Sequence, residues 1–583
     1  MLRLSTKAQP IALLALLGLA LCGSCQSNRG IPSAEELASL MEEEPAVTSV
    51  SHHGPNVSFD GGGPMRFVGI LYNGFRKERA METVRFMDAR VRTPGSEGFR
   101  QSLDEVERQL RDEGFGSIEG LELSVVETEM ESPAWNARSA KLSLVTSKGG
   151  ESVLHAFEHP SDPDRCLLPE NAPSAAVSGN VAMNLADLSA GDILVTEASL
   201  RRDLLERAER KGAAAVISSA LGRYNIDPTD AERHQDAIGF RSVSPESQFP
   251  VAQISPRSYA QISYASESGG ASLVLNAEVE LGSKTVRTLI ATIVGSDRAD
   301  EVVAMSSHLE APGASDNATG AAGQLENALT IARVLERGGI DRPSRSIAFI
   351  WGMENEEADI WLRNQNRKPI AAVNAVMIGE SRERTGAVPL LERYPDPGAI
   401  KTIEPDRHTL WGSRDIEPEW LVPNGLSIIA RCALVDVSRH VGDWETFENP
   451  YEGGTDHERF ILSGVPAVLF WHFTDFTFHT SLDREVMVDA EELKRMAIAA
   501  LVTAMALADP EPGDLTRYLT TLSSERVLRI VAAEEAGEVE IAEDWRAWCS
   551  GVRHWLRIHC LGLQGADGIL PGPLESAALK RDS

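Results

Sequence analysis

Two histidines and several acids stand at spacings that could do chemistry. His308 follows the apolar run Val302 to Ser306 and precedes Asp316 by eight residues, in His308-Leu-Glu-Ala-Pro-Gly-Ala-Ser-Asp316-Asn317. Glu354 and Asn355 close Trp351-Gly-Met-Glu354-Asn355, and His479 lies in Phe478-His479-Thr-Ser-Leu-Asp483. Imidazole and carboxylate are the side chains that hold a hydrolytic divalent cation. Such a cation polarises a carbonyl and acidifies water, and a further carboxylate takes the water's proton. A lone His at a strand end is more often a hydrogen-bonded structural residue. The combination His…Pro-Gly-Ala-Ser-Asp-Asn-Ala-Thr-Gly is far more specific.

Together these segments resemble the dizinc exopeptidases, which include leucyl aminopeptidases, glutamate carboxypeptidases and the single-zinc glutaminyl cyclases. The resemblance covers residues 66 to 510 and is strongest from 286 onward. It implies that His308, Asp316 and His479 bind zinc, with Asp316 as the bridge, and that Glu354 is the general base. Glu310, Asn317, Asp456, His457 and Asp483 fall in supporting places, with Glu310 orienting His308. His472 reads as a structural neighbour.

Two positions depart from the family pattern. Asn355 stands where a ligating Glu is usual and Val376 where a ligating Asp is usual. An amide offers only a neutral oxygen, and valine offers none. Each metal would lose its private carboxylate, and two cations sharing one acid repel each other with little to offset it. Three outcomes stay open. One ion sits between Asp316, His479 and the Asn355 oxygen; or Glu356, Glu357 or Glu380 moves in as a substitute; or the cleft binds peptides or glycans without turnover. The leading expectation is an exported aminopeptidase acting on peptides, with single-metal cyclising or acyl-transfer chemistry as a further alternative.

These residues need a scaffold. From 286 to about 510, short apolar runs (Leu289 to Val294, Ser346 to Trp351, Ala372 to Ile378, Ala467 to Trp471) alternate with helical patterns such as Ala318 to Leu335. That predicts an α/β fold, a mainly parallel mixed sheet flanked by helices, with the candidate residues beyond the strands' C-terminal ends. Residues 66–125 belong to the same domain through two amphipathic helices. Residues 126–285 are rich in short strands and loops, similar to a protease-associated domain, with roles as cap or as scaffold both open. Residues 511–583 form a helical tail whose Trp545, Trp548 and Trp555 pack on the body.

At 583 residues the chain needs more than one core, and a net charge of −30 argues against nucleic acid as a partner. Arg3 and Lys7 precede the apolar run Ile11 to Leu21, which is too short to span a bilayer, and Cys22-Gly-Ser-Cys25. This predicts a cleaved export signal over 1–25, with either a lipid anchor at Cys25 or plain cleavage after Ser24, and a spacer over 26–65. The destination is the bacterial periplasm, the cell envelope or the medium. Cys549 and Cys560 could form a bridge or remain buried thiols.

Overall fold

The computed structural model describes residues 62–229, 231–562, 573, 574 and 576. The export signal, Cys25 and most of the spacer lie outside these. Among the described residues, no helix is long and apolar enough to cross a membrane.

The larger unit is an eight-stranded mixed sheet. Its order is Leu121–Glu129, Thr285–Ile293, Arg345–Trp351, Arg298–Ser306, Lys368–Ala375, Ala467–Phe473, Val388–Glu392 and Phe447–Asn449. Arg345–Trp351, Arg298–Ser306, Lys368–Ala375 and Ala467–Phe473 run parallel to one another. All seven residues of Arg345–Trp351 and of Ala467–Phe473 are buried. A strand covered on both faces takes mostly apolar side chains at successive positions, so these read as runs and not as alternation. The helix Ala318–Glu336 is buried almost all round, and with Ala490–Ala508 it packs on the sheet. The helices Met65–Gly74, Lys77–Asp88 and Glu97–Asp112 belong to the same core. The last starts where Ser96 accepts a hydrogen bond from the Phe99 amide, an N-cap. Gly63 and Met65 belong to the fold, because the Gly63 amide donates to Asp514 and a helix starts at Met65.

The run Ala372 to Ile378 does not stay in the sheet. The strand ends at Ala375, and Met377 takes a left-handed φ of 55°. The amides of Met377 and Ile378 donate to the Asn317 and Thr319 side chains, not to a neighbouring strand. Apolar composition could not reveal that diversion.

Residues 135–281 build a second sheet of seven strands with its own apolar core. The chain leaves the larger sheet at Glu129 and re-enters at Thr285, and these two residues pair in an antiparallel ladder. The two ends of the insertion are thus neighbours, and the larger sheet closes across its base.

The tail forms the helices Asp514–Glu535 and Val539–Leu561, with Trp545, Trp548 and Trp555 buried in the main core. Cys549 and Cys560 are both buried free thiols. They lie on one helix, eleven residues apart, a rise of about 16 Å that far exceeds disulfide reach. The tail is tied down by charge as well. Arg431 donates to Glu448 at 2.7 and 2.9 Å and to Glu525 of the tail at 2.7 and 2.9 Å, with all three side chains buried. Removing one member of such a group strands the others in a poorly solvating interior. Arg431→Leu is expected to destabilise the fold by about 3–5 kcal/mol, read by urea denaturation.

Candidate functional site

The candidate residues converge at the C-terminal edge of the parallel strands, around a cavity of about 360 Å³. His308 sits two residues past Arg298–Ser306, Glu354 three past Arg345–Trp351, and Val376 one past Lys368–Ala375. His479 arrives from the loop after Ala467–Phe473.

Asn317 organises the corner. Its amide nitrogen donates to the His308 carbonyl at 2.9 Å and to Ser307 at 3.1 Å, and its oxygen accepts from the amides of Gly320 and Met377. One side chain thereby joins the ends of two strands to the start of a helix. Gly320 is required there, since a Cβ would lie 2.3 Å from the Asn317 oxygen and 2.5 Å from the Ala375 carbonyl. The Asp316–Asn317 peptide is cis. Asp483 accepts from the Ser315 and Asp316 amides at 2.7 and 2.9 Å. Burial, and then the charge of Asp475, push its pKa up to about 8. Below the loop, buried Arg92 donates to the carbonyls of Leu309, Met87 and Gly313.

Asp316 is the centre. The His479 ring lies 2.9 Å from its Oδ2 and the His308 ring 3.8 Å from its Oδ1. Glu354 lies 3.7 Å from the same His308 nitrogen, and Glu310 lies 3.6 Å from the other. Burial opposes charge on His308, but Glu354, Glu310 and Asp316 outweigh it and raise its pKa well above that of free imidazole. Glu354 is raised by burial first and by the charges of Asp456 and Asp316 after it, against the pull of His308.

The second sheet enters this site. The Phe240 amide donates to the His479 carbonyl at 2.7 Å and the Ser481 amide to the Ile238 carbonyl at 2.8 Å. The Phe240 ring meets His479 edge-on at 6.2 Å. His479 has a left-handed φ of 54°, which costs a non-glycine residue energy. The strap 238–240 offsets that cost by gripping the loop on either side. Glu170, Phe240 and Ser242 line the cavity from loops of the inserted unit. Burial, and then the charge of Glu310, push the Glu170 pKa up to about 7.

Val376 faces the cavity with an isopropyl group. Asn355 precedes the helix Glu356–Asn364 with φ 65°, donates its backbone N–H to Asp456 at 2.6 Å, and is not among the cavity-lining residues. The three substitute acids do not come in. Glu356 is exposed, Glu357 is buried against Asp456, and Glu380 is buried against His472 at 3.2 Å. None of them lines the cavity, so the substitution expected for them does not occur. Helix geometry explains the first two, because successive residues point to different faces. His472 is a structural residue, held by the Met377 carbonyl, Glu380 and Glu492.

A pair of zinc ions does not fit this donor set, because each would lack a carboxylate of its own. One ion does fit its chemistry. His308, Asp316 and His479 are three protein donors beside an open cavity, the number that a hydrolytic zinc takes from its protein. His479 has to part from Asp316 to admit it. As the side chains stand, no three His, Cys, Asp or Glu among the described residues are closed around a metal position.

Sequence reasoning missed Glu392, Glu170 and Phe240. Asp456 and His457 act as supports, but each on a particular partner. Asp456 holds the Asn355 amide and the Asn374 side chain, and His457 lies 2.8 Å from Glu392. That pair joins positions 65 residues apart, and no local motif announces it.

Residues 288–388 match the model of peptidase family M28. The Peptidase M28 precursor from Shewanella amazonensis SB2B is 17% identical, covering 76% of this chain and 97% of that one, with a TM-score of 0.52. The zinc aminopeptidase BSAP from Bacillus subtilis is 14% identical, covering 75% of this chain and 96% of that one, with a TM-score of 0.50. Likeness at these identities is one of fold. No curated protein matched. The resemblance in the motifs, the matched segment and the α/β fold agree: residues 288–388 are similar to peptidase family M28, within a fold that the chain shares with these two structures.

Proposed function

We propose that the protein is an exported exopeptidase-like hydrolase that takes peptides by a free amino end. The observation that carries this is Glu354, a cavity-lining carboxylate beside His308 with its pKa raised by burial. A base works best with a pKa near the operating pH, and burial moves Glu354 that way. It takes a proton from water and passes it to the leaving amine. Glu310, Asp316 and Glu354 face the cavity together with Glu170, and this acidic wall favours a peptide's ammonium group. The strap 238–240 holds His479 in place. A single divalent ion, held by His308, Asp316 and His479, supplies carbonyl polarisation and water acidification when bound. The route outside the cytoplasm rests on the N-terminal pattern of Arg3, Lys7 and Ile11 to Leu21.

Protein purified without chelators is expected to carry one zinc per chain by elemental analysis and to release the reporter from aminoacyl anilides. Neither zinc nor cleavage would end this reading. The second reading is a cleft that holds peptide ends without turnover. Asn355 and Val376 favour it, since they remove the two private carboxylates. It predicts peptide binding, measured by calorimetry, without cleavage.

A further inference from the structure

One side of the cavity is walled largely by apolar side chains, and this side forms a lobe of it. The strands Val388–Glu392 and Ala467–Phe473 pair antiparallel, with Glu392 opposite Leu469 and Leu390 opposite Trp471. Val376, Leu469, Trp471, Phe478 and Trp411 line this lobe, and Glu392 lines it too. Val376, Leu469, Trp471 and Phe478 form an apolar cluster separate from the main core. Trp411 is held over the lobe by a bond from its ring N–H to the Gly453 carbonyl at 3.2 Å. Gly454, at φ 106°, lets the ring lie close, because a Cβ there would be 3.0 Å from it.

A carboxylate in such a lobe needs an account. Glu392 is fully buried. Its Oε1 accepts from the Glu452 and Gly453 amides at 2.9 and 2.8 Å and meets the His457 ring at 2.8 Å. Its Oε2 has only a 3.4 Å approach from Asn449 among the described residues. One oxygen has three partners, then, and the other a single long hydrogen bond from Asn449. Holding the loop 452–457 explains Oε1 and says nothing of Oε2. No lysine or arginine lines the cavity. The His457 ring is the basic group beside Glu392, on the Oε1 side; a ligand's cation at Oε2 would further offset the cost of burying the acid.

We propose that Glu392 makes this lobe a subsite for a basic side chain, lysine or arginine, on the peptide's first residue. The methylene stem runs along Val376, Leu469 and Trp471, and the cationic head reaches Glu392 Oε2 past the face of Trp411. Aromatic faces attract cations, and a charge-assisted bond to a carboxylate is about twice as strong as a neutral one. Val376 matters here in a new way. An acid at that position would hold a cation midway, whereas valine leaves the stem an apolar path to Glu392. The inference takes from the proposed function only where the peptide's amino end lies, and it does not require turnover.

The test is calorimetry on the full chain with lysinamide, norleucinamide and Nε-acetyl-lysinamide, three ligands with the same α-amine and different tips. Lysinamide is expected to bind about tenfold or more tighter than the other two. Glu392→Gln is expected to erase that preference, so that lysinamide and norleucinamide bind the variant alike, with a thermal melt confirming that it is folded. Equal affinities in the wild type overturn the subsite, as does a lysine preference that survives Glu392→Gln. Should that variant fail to fold, the wild-type comparison of lysinamide with its acetylated form decides alone. A lysine preference without anilide cleavage ends the hydrolase reading and keeps this one. Cleavage of leucyl anilides with no basic preference does the reverse.

Discussion

Restoring both acids, Asn355→Glu with Val376→Asp, is expected to raise zinc affinity about a hundredfold or more, measured by competition with a chromogenic chelator. The position of Val376 is fixed on both sides: Asn374 bonds Asp456 at 3.1 Å, and the Met377 amide bonds Asn317 at 3.0 Å. An aspartate there enters the cavity that Val376 now lines. Without metal it would join Asp316 and Glu354 as an uncompensated buried charge, so the metal-free double variant should be less stable than the parent. Added zinc should reverse the sign, because a ligand that binds only the folded state stabilises it. Thermal melts with and without zinc read this directly. A variant that melts lower and gains nothing from zinc would mean that the cradle cannot close around an ion. Val376→Asp alone should show part of the gain. Asn355→Glu alone should show less, because residue 355 starts outside the cavity lining with its backbone bonded to Asp456.

Glu354→Gln is the second large effect. If Glu354 is the base, kcat on an aminoacyl anilide falls by about 10²–10⁴ with KM nearly unchanged, equivalent to about 3–5 kcal/mol in the barrier. Glutamine keeps the shape and removes the proton acceptor. Zinc content should hold, since His308, Asp316 and His479 remain. A fall of less than tenfold would remove Glu354 from the chemistry and leave the cleft as a binding site. A parallel loss of zinc would make Glu354 a ligand, which its 3.7 Å separation from the His308 ring also permits.

Much of the scaffold was legible before any coordinates. Fully buried strands take mostly apolar side chains at successive positions, so runs such as Ser346 to Trp351 and Ala467 to Trp471 stand out. The helices Lys77–Asp88 and Glu97–Asp112 follow from apolar residues three and four apart. Chemistry carried on one turn was also legible. His308 and Asp316 lie eight residues apart, and Asn317 and Gly320 shape the loop within four more. The fate of Glu356, Glu357 and Glu380 was not. Their types are right, but one faces water and two face buried partners. The pairing of Cys549 with Cys560 was open only while the helix carrying both was unassigned.

By itself, then, the sequence determined the resemblance of the core domain, its strand and helix content, and the identity of the acids and imidazoles at the strand ends, with Asn355 and Val376 among them. These are local facts, written in periodicity and in turns a few residues long. The tertiary structure alone decided that His479 is held by a strap from a loop of the inserted unit, that Glu170 and Glu392 line the cavity, and that Glu356, Glu357 and Glu380 do not. Those outcomes depend on strand order and on hydrogen bonds between distant segments, such as Phe240 with His479 and His457 with Glu392. Which side chains share a cavity is set by where the chain returns, and no single stretch of residues contains that information.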